Sequence, residues 1–177
     1  MRVVKYGRFY CVAGVVKLEK ISSSQLVDKV LKTLDNTQFI NPEVPFDWDV
    51  FDAALVNALL VYGTPRQRAR TIPNEVLLRL AATTQLEEAI RRVGVREGLD
   101  AAVFLTVSDS MNEALDTASK IVELTGKLTD LPNRAGKTED MIRFYGLDER
   151  PLAAVQAESR EQAVKMLVIQ RMASTIL

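Results

Sequence analysis

The sequence predicts a single α+β domain over residues 1–177, in which a small, mostly antiparallel sheet packs with about six helices. Three observations lead to this class. The chain has 177 residues, of which 47% are hydrophobic, enough to enclose one core. Segments rich in Val, Phe and Tyr cluster early and do not alternate regularly with helical segments. The helical segments carry apolar residues at spacings of three and four.

Four short segments have the composition of β-strands. Residues 2–6 and 8–18 flank Gly7 and predict two strands that can form a hairpin. Residues 38–40 predict a short third strand, and residues 101–107 predict a buried fourth strand. The segment from 125 to 138 is weakly apolar and is interpreted as a surface loop.

The predicted helices begin at polar caps and several end at glycines. Ser110 with Glu113, and Ser159 with Gln162, match the capping-box pattern that opens a helix. The six predicted helical regions begin near residues 22, 50, 75, 110, 138 and 159, and Thr83-Thr84 divides the third into two short helices.

Composition argues against a catalytic role. The chain has no histidine, which removes the commonest general base and metal ligand, and it has one cysteine, Cys11. Residues 134–138 (RAGKT) look like the end of a phosphate-binding loop, but Leu131 stands where that loop needs glycine, so a surface turn is favoured. We therefore expect no enzyme activity, no cofactor and no metal. An enzyme that uses Lys or acidic groups is the least favoured alternative.

The charge balance limits the kind of partner. Lys plus Arg equals Asp plus Glu at 23 each, so nucleic acid can bind only at a local basic patch. No apolar run approaches the roughly 20 residues of a membrane span, and the N-terminus does not have the pattern of a signal peptide. We expect a cytoplasmic protein with no membrane association.

One local basic patch stands out. Arg66, Arg68 and Arg70 lie within five residues, and no acid occurs between Thr64 and Asn74. Such a loop is either flexible and solvated or neutralised by a bound phosphate or carboxylate. Both interpretations stay open on composition alone.

Other arginines have glutamate four residues earlier, the favourable order for a helical ion pair. The pairs are Glu75–Arg79, Glu87–Arg91 and Glu88–Arg92. We interpret Arg91 and Arg92 as a solvated, self-paired face. Arg79 lies near the Thr83-Thr84 hinge and remains a candidate for a ligand contact.

The last helix is apolar on nearly all sides. Val164, Val168 and Met172 lie on one side of a helical wheel, and Leu167 lies between them and a second apolar side. This second side consists of Ala163, Met166, Ile169, Ala173 and Leu177. Such a helix is either wholly internal or covered by another protein. We favour a partner interface that includes Val164, Leu167, Val168, Arg171 and Met172.

Two elements of the sequence match a known pattern. The residues of the central motif are Glu75, Leu77, Leu80, Ala81, Gln85, Leu86, Glu88, Ala89, Ile90 and Gly94. The second element is Tyr145-Gly146-Leu147, which ends a short helix before the last one. With these elements the sequence resembles the small kinase-binding subunit of the KEOPS complex, the family of the PRPK-binding protein. The resemblance is good over residues 50–107 and moderate over residues 139–177.

This resemblance implies a non-catalytic subunit that binds the small atypical kinase of the complex through its last helix. It also implies contact with the single-stranded 3′ CCA end of tRNA, in support of threonylcarbamoyladenosine modification by other subunits. Arg66, Arg68, Arg70 and Arg79 are then candidates for tRNA phosphates. Thr83, Thr84 and Gln85 can offer hydrogen bonds to an unstacked base.

Two positions depart from the family pattern. Ala82 stands where the family usually has glycine, which predicts a hinge without a left-handed residue. Thr84 stands where a basic residue is common, which predicts a weaker grip on phosphate. An alternative function is a homodimeric small-molecule-binding regulatory domain.

Overall fold

A central antiparallel sheet organises the computed structural model, which describes residues 1–132 and 137–175. Its strands are β1 (Arg2–Tyr6), β2 (Phe9–Lys17), β3 (Thr37–Ile40), β4 (Ala101–Ser108) and β5 (Leu128–Thr129). The order is β1-β2-β4-β3, and β5 pairs with the far end of β2. The short β5 lies inside the segment predicted as a loop, so that part of the prediction is wrong. Most of the predicted turn at 134–138 lies outside the described residues.

Helices lie on both faces of this sheet. They are α1 (Ser23–Gln25), α2 (Trp48–Val61), α3 (Ile72–Leu80), α4 (Leu86–Val93), α5 (Met111–Thr125), α6 (Lys137–Tyr145), α7 (Glu149–Ala154) and α8 (Arg160–Ser174). Helix α1 continues into a π-helical turn (Leu26–Val30) and a 3-10 turn (Leu31–Thr33). The side chains of Ser110 and Ser159 accept the N–H of Glu113 and Gln162, as predicted. Helix α7 was not predicted. Within the two described ranges, no helix has the length and apolar character needed to cross a membrane.

Strand β2 separates two apolar layers. Because alternate residues of a strand face opposite sides, Cys11, Ala13 and Val15 belong to the layer under α2, α3 and α8. Val12 and Val16 belong to the layer under α1 and α5. These residues are at most 5% exposed, which is typical of a strand covered on both faces. The predicted α+β class is confirmed.

Gly14 allows an aromatic ring to lie against β2. A Cβ placed on Gly14 would lie 2.9 Å from the nearest atom of the Phe104 ring, closer than such contacts occur. Gly14 is paired with Phe104 in the register between β2 and β4. Gly14 therefore accommodates a neighbouring ring, as glycine in a strand often does.

Ala82 ends α3 in a left-handed conformation. Its φ is +49°, and its N–H donates to the carbonyl of Arg79 at 2.9 Å. The N–H of Thr83 reaches back to the carbonyl of Leu78 at 3.1 Å, which completes a typical helix C-cap. The prediction of a hinge without a left-handed residue is wrong, because these cap bonds impose the conformation even without glycine.

Replacing Ala82 by Gly should stabilise the fold. A side chain in the left-handed region costs about 1–2 kcal/mol, and part of the gain is lost because Gly frees the unfolded chain. We expect Ala82→Gly to raise the free energy of unfolding by about 0.5–1 kcal/mol, measured by urea titration.

The neighbouring residue provides the control. Ala81 is fully buried at φ −81°, where glycine brings no relief. Ala81→Gly should lower the free energy of unfolding by about 0.5–1 kcal/mol. Equal effects of the two substitutions would contradict this account of the cap.

Candidate functional site

Helix α3 carries an ion pair in the interior of the protein. Glu75 and Arg79 are 0% and 1% exposed, and Oε2 of Glu75 lies 2.6 Å from Nη2 of Arg79. A second guanidinium nitrogen, Nη1, donates to Oγ1 of Thr175 at 2.7 Å. The pair therefore ties α3 to the residue that caps the end of α8.

The same glutamate holds the loop before α3. Its Oε1 accepts the backbone N–H of Arg68 in a short hydrogen bond and that of Ala69 at 2.6 Å. The Ala69 methyl group is 5% exposed and belongs to the core. The arginine loop, residues 64–71, is thus held at its centre by the backbone N–H groups of Arg68 and Ala69.

Side chains alternate along the arginine loop. Arg66, Arg68 and Arg70 are exposed, whereas Gln67 turns back to accept the N–H of Gly63 and to donate to the carbonyl of Ala69, both at 2.7 Å. Across residues 1–132 and 137–175, none of the three guanidinium groups has a carboxylate within ion-pair distance. Three accessible cations without an internal counter-charge are a suitable contact surface for an anion.

Arg79 does not belong to that surface. Arg79 is one of the predicted tRNA contacts because it lies near the Thr83-Thr84 hinge in the sequence. Burial and its bonds to Glu75 and Thr175 leave no free face for a ligand in this structure. Arg79 is therefore corrected as a tRNA contact, and all residues of α3 except Asn74 are buried.

The hinge residues lie at the other end of α3. The hydroxyl of Thr83 already makes two hydrogen bonds within the protein, because it donates to Glu88 at 2.8 Å and accepts the N–H of Gln85. Thr84 and Gln85 are exposed. Nine residues of helix separate this hinge from the arginine loop, a length of about 13 Å. The structure therefore does not bring the two groups of predicted contacts into one site.

The arginines of α4 have different roles. Arg92 donates to the carbonyls of Ala81 and Phe144, each at 2.8 Å, and lies over the Phe144 ring at 4.7 Å. The prediction of a solvated, self-paired face is therefore wrong for Arg92, whose ion pair with Glu88 is long, at 3.9 Å. The expected pairing of Arg91 with Glu87 is not observed among the described residues, and Arg91 is exposed.

One face of α8 belongs to the core. Val164, Val168 and Met172 are each 0% exposed and pack in the same layer as α2 and α3. The prediction that these three residues form a partner interface is corrected, because earlier elements of the chain already cover this side. A helical wheel shows that α8 has two apolar sides, but it cannot show which of them is covered by other elements of the same chain.

The opposite flank of α8 remains accessible. Met166 is 47% exposed, and Ile169 and Ala173 are half-buried. Of the same predicted side, Ala163 is 5% exposed and belongs to the core, and Leu177 lies outside the described residues. Beside this flank, Leu167 and Arg171 line a cleft of about 300 Å³. The α8 flank is defined here as Met166, Leu167, Ile169, Gln170, Arg171, Ala173 and Ser174.

A lysine anchors the start of α8 to α2. Nζ of Lys165 lies 2.7 Å from Asp47, 3.1 Å from Asp49 and 3.3 Å from Glu161. Hydrogen bonding to Asp47 raises the pKa of Lys165 above its usual range. Burial on its own would raise the pKa of Asp47, but the hydrogen bonds from Lys165 and from the N–H of Val50 outweigh it and lower that pKa.

A comparison with known families agrees with this architecture. The sequence profile described as kinase binding protein CGI-121 matches residues 17–175, from the end of β2 to the cap of α8. The chain belongs to this family. The resemblance inferred from the central motif and the last helix is thereby confirmed at the level of the family.

Two curated CGI-121 relatives show how far the similarity extends. KEOPS complex subunit Cgi121 of Pyrococcus abyssi is 29% identical over 117 residues, which cover 66% of this chain and 64% of the relative. EKC/KEOPS complex subunit CGI121 of Candida glabrata is 24% identical over 111 residues, which cover 62% of this chain and 63% of the relative. The chain thus matches just under two thirds of the length of each.

The cleft beside α8 was not predicted, because it is lined in part by α7, which was not predicted either. Asp148 followed by Pro151 is a signal that could have predicted a helix start, since both residue types are common at that end. The anchoring of Lys165 by Asp47 had no local signal, because these residues are 118 positions apart. Such a contact follows only from the packing of α8 on α2.

The Asp47 anchor of this CGI-121 family member should make stability depend on pH. Since the folded pKa of Asp47 lies below its ordinary value of 3.8, its contribution is present above that pH and is lost as pH falls through the folded pKa. We expect urea titrations to show that, between about pH 5 and pH 3, the free energy of unfolding falls less in Asp47→Asn than in the wild type. Lys165→Gln should reduce the pH dependence of the free energy of unfolding in the same way. If both variants kept the pH dependence of the wild type, the Asp47–Lys165 contact would not be its cause.

Proposed function

We propose that this protein is a non-catalytic subunit of a KEOPS complex that binds and regulates the small atypical kinase of that complex. We further propose that it contacts the 3′ CCA end of tRNA, in support of threonylcarbamoyladenosine modification in the cytoplasm. The family name refers to kinase binding, and the names of both relatives refer to the KEOPS complex. In this proposal the chemistry belongs to other subunits.

The observation that carries kinase binding is the accessible α8 flank. Met166 offers an exposed, flexible apolar side chain of the kind that adapts to a partner surface. The cleft beside Leu167 and Arg171 adds a depression with apolar and charged walls, and Arg171 is exposed while donating to the carbonyl of Gly146 at 3.2 Å. A central apolar contact with an arginine at its edge is a common composition for a protein interface.

The observation that supports RNA binding is the arginine loop. Guanidinium groups match phosphate oxygens in geometry and charge, and three lie on the outside of a loop whose backbone is held by a buried carboxylate. Pre-ordering lowers the entropy lost on binding. Thr84 and Gln85, about 13 Å away along α3, are candidates for hydrogen bonds to an unstacked base edge. An RNA strand that reached both would have to run along α3.

Kinase binding is tested by charging the α8 flank. We expect Met166→Asp combined with Arg171→Glu to weaken the affinity for the kinase subunit of the same organism by at least about 30-fold, because an apolar anchor and a charge are both lost. Isothermal titration calorimetry with the purified kinase gives the affinity. The melting temperature should change little, since Met166 is 47% exposed.

Two variants control this experiment. Leu124→Asp changes a side chain of the same exposure, 47%, on α5 across the sheet, and it should leave kinase binding intact. Val168→Asp should unfold the protein, because it places a carboxylate in the core. Full kinase affinity in the flank variant, or a stable dimer by light scattering that binds no kinase, would contradict the proposal.

RNA binding is tested by removing the three loop charges. Arg66→Ala, Arg68→Ala and Arg70→Ala combined should weaken tRNA binding and lower the slope of log K against log salt concentration by about 2–3. A matched variant with Arg91, Lys120 and Arg150 replaced by Ala has the same net charge and should keep a slope close to the wild type. All six residues are exposed.

The terminal nucleotides provide the second arm of this test. Wild-type protein should bind tRNA with an intact CCA end more tightly than the same tRNA without it. Equal affinities for the two tRNAs, or equal salt slopes for the two triple variants, would count against the proposed contact.

A further inference from the structure

The β1–β2 hairpin contacts the segment that leads into the arginine loop. The Phe9 ring meets the Tyr62 ring edge to face, with centroids 5.7 Å apart. Tyr62 follows the last residue of α2 and is followed by the glycine that opens the loop. The guanidinium of Arg8 lies over the Phe9 ring, 4.9 Å from its centroid. Arg8, Phe9 and Tyr62 therefore contact one another in that order, and Tyr62 lies two residues before the arginine loop.

The two segments that meet here carry no acidic residue. There is no Asp or Glu from residue 1 to 18 or from 53 to 74, although the whole chain has 23 acids and 23 bases. The hairpin contributes Arg8 at its tip, and the loop contributes three exposed arginines. Positive charge on this surface is therefore not balanced by acids from either segment.

An accessible ring lies beside Phe9. Tyr6 stands directly opposite Phe9 in the strand register and is 41% exposed. Residues directly opposite in an antiparallel pair share one face of the sheet, so Tyr6, Phe9 and Tyr62 lie on the same side. Lys5 pairs with Tyr10 and lies over its ring on the opposite side of the hairpin.

We infer that Tyr6, Arg8 and the Phe9–Tyr62 pair form a stacking platform for single-stranded RNA, continuous with the phosphate contacts of the arginine loop. This inference rests on the proposed RNA function and extends it to the β1–β2 hairpin. Surfaces that bind single strands combine a cationic track with aromatic rings on which bases stack. A duplex offers no free base faces along its length, so the platform selects unpaired nucleotides.

The arrangement of rings favours RNA over an acidic protein segment. A carboxylate-rich peptide needs cations but gains little from an exposed tyrosine next to a half-buried pair of rings. A nucleotide uses both kinds of group, because its phosphate pairs with Arg8 and its base stacks on Tyr6. The hairpin turn keeps the two residues close, with Gly7 at φ +55° between them.

The test uses a fluorescein-labelled single-stranded RNA of twelve nucleotides that ends in CCA, and the same RNA annealed to its complement. Tyr6→Leu should weaken single-strand binding by roughly 5- to 150-fold without changing the salt slope, since one stacked base is lost. Tyr6→Phe keeps the ring and should stay within about twofold of the wild type. Fluorescence anisotropy gives the affinities, and circular dichroism checks the fold of each variant.

The contribution of the Arg8 charge to RNA binding is tested with two matched variants. Arg8→Gln should lower the salt slope for the single strand by about 0.7, the value for one phosphate contact. Lys5→Gln removes the same charge from the opposite side of the hairpin and should lower the slope by less than half as much. Neither Tyr6 variant should change the affinity for the duplex.

The outcomes separate this inference from the proposed function. If the triple variant of the arginine loop loses RNA affinity while Tyr6→Leu and Arg8→Gln do not, the platform is refuted and the proposed function stands. If the loop variant binds RNA normally, the proposed RNA function itself fails. Equal losses for single strand and duplex, or loss of kinase binding alone in the hairpin variants, would also overturn the platform.

Discussion

The buried pair of Glu75 and Arg79 is the constraint on which the arrangement of both proposed surfaces depends. A charge inside a protein must be matched by a partner and by hydrogen bonds, since the low-dielectric interior penalises each one left alone. Glu75 receives donors from Arg79, Arg68 and Ala69, and Arg79 also reaches Thr175. Removing one member of such a pair typically costs about 3–5 kcal/mol. Three distant segments are therefore held at one point.

This constraint explains how a neutral protein presents a basic surface. Because Glu75 binds the backbone of the arginine loop and pairs with a different arginine, the carboxylate fixes the loop without neutralising its side chains. The end of α8 is tied to the same pair through Thr175, so the helix proposed to bind the kinase and the loop proposed to bind RNA share one anchor. The anchor lies inside the core, which leaves both outer surfaces free for partners.

The sequence predicted local features well, but it predicted poorly which faces of α3 and α8 are buried. The spacing of Glu75 and Arg79 predicted an ion pair, but the same spacing occurs on solvated helices, and only the packing of α2, α4 and α8 around α3 makes the pair internal. Apolar residues all round α8 predicted two sides to cover, and the chain itself covers the side of Val164, Val168 and Met172. Which side the chain covers depends on contacts more than 100 residues apart, such as that between Lys165 and Asp47. The contact of Phe9 with Tyr62 is equally non-local, so the sequence predicted the arginine loop but not its proximity to the rings of the hairpin.

Native-state hydrogen exchange of the arginine loop tests the central constraint most directly. If Glu75 holds the loop from inside the core, the backbone amides of Arg68 and Ala69 will exchange as slowly as those of α3, whereas the amide of the exposed Arg70 will exchange quickly. Exchange of Arg68 and Ala69 as fast as that of Arg70 would show that the loop opens independently of the buried pair, and would contradict the account.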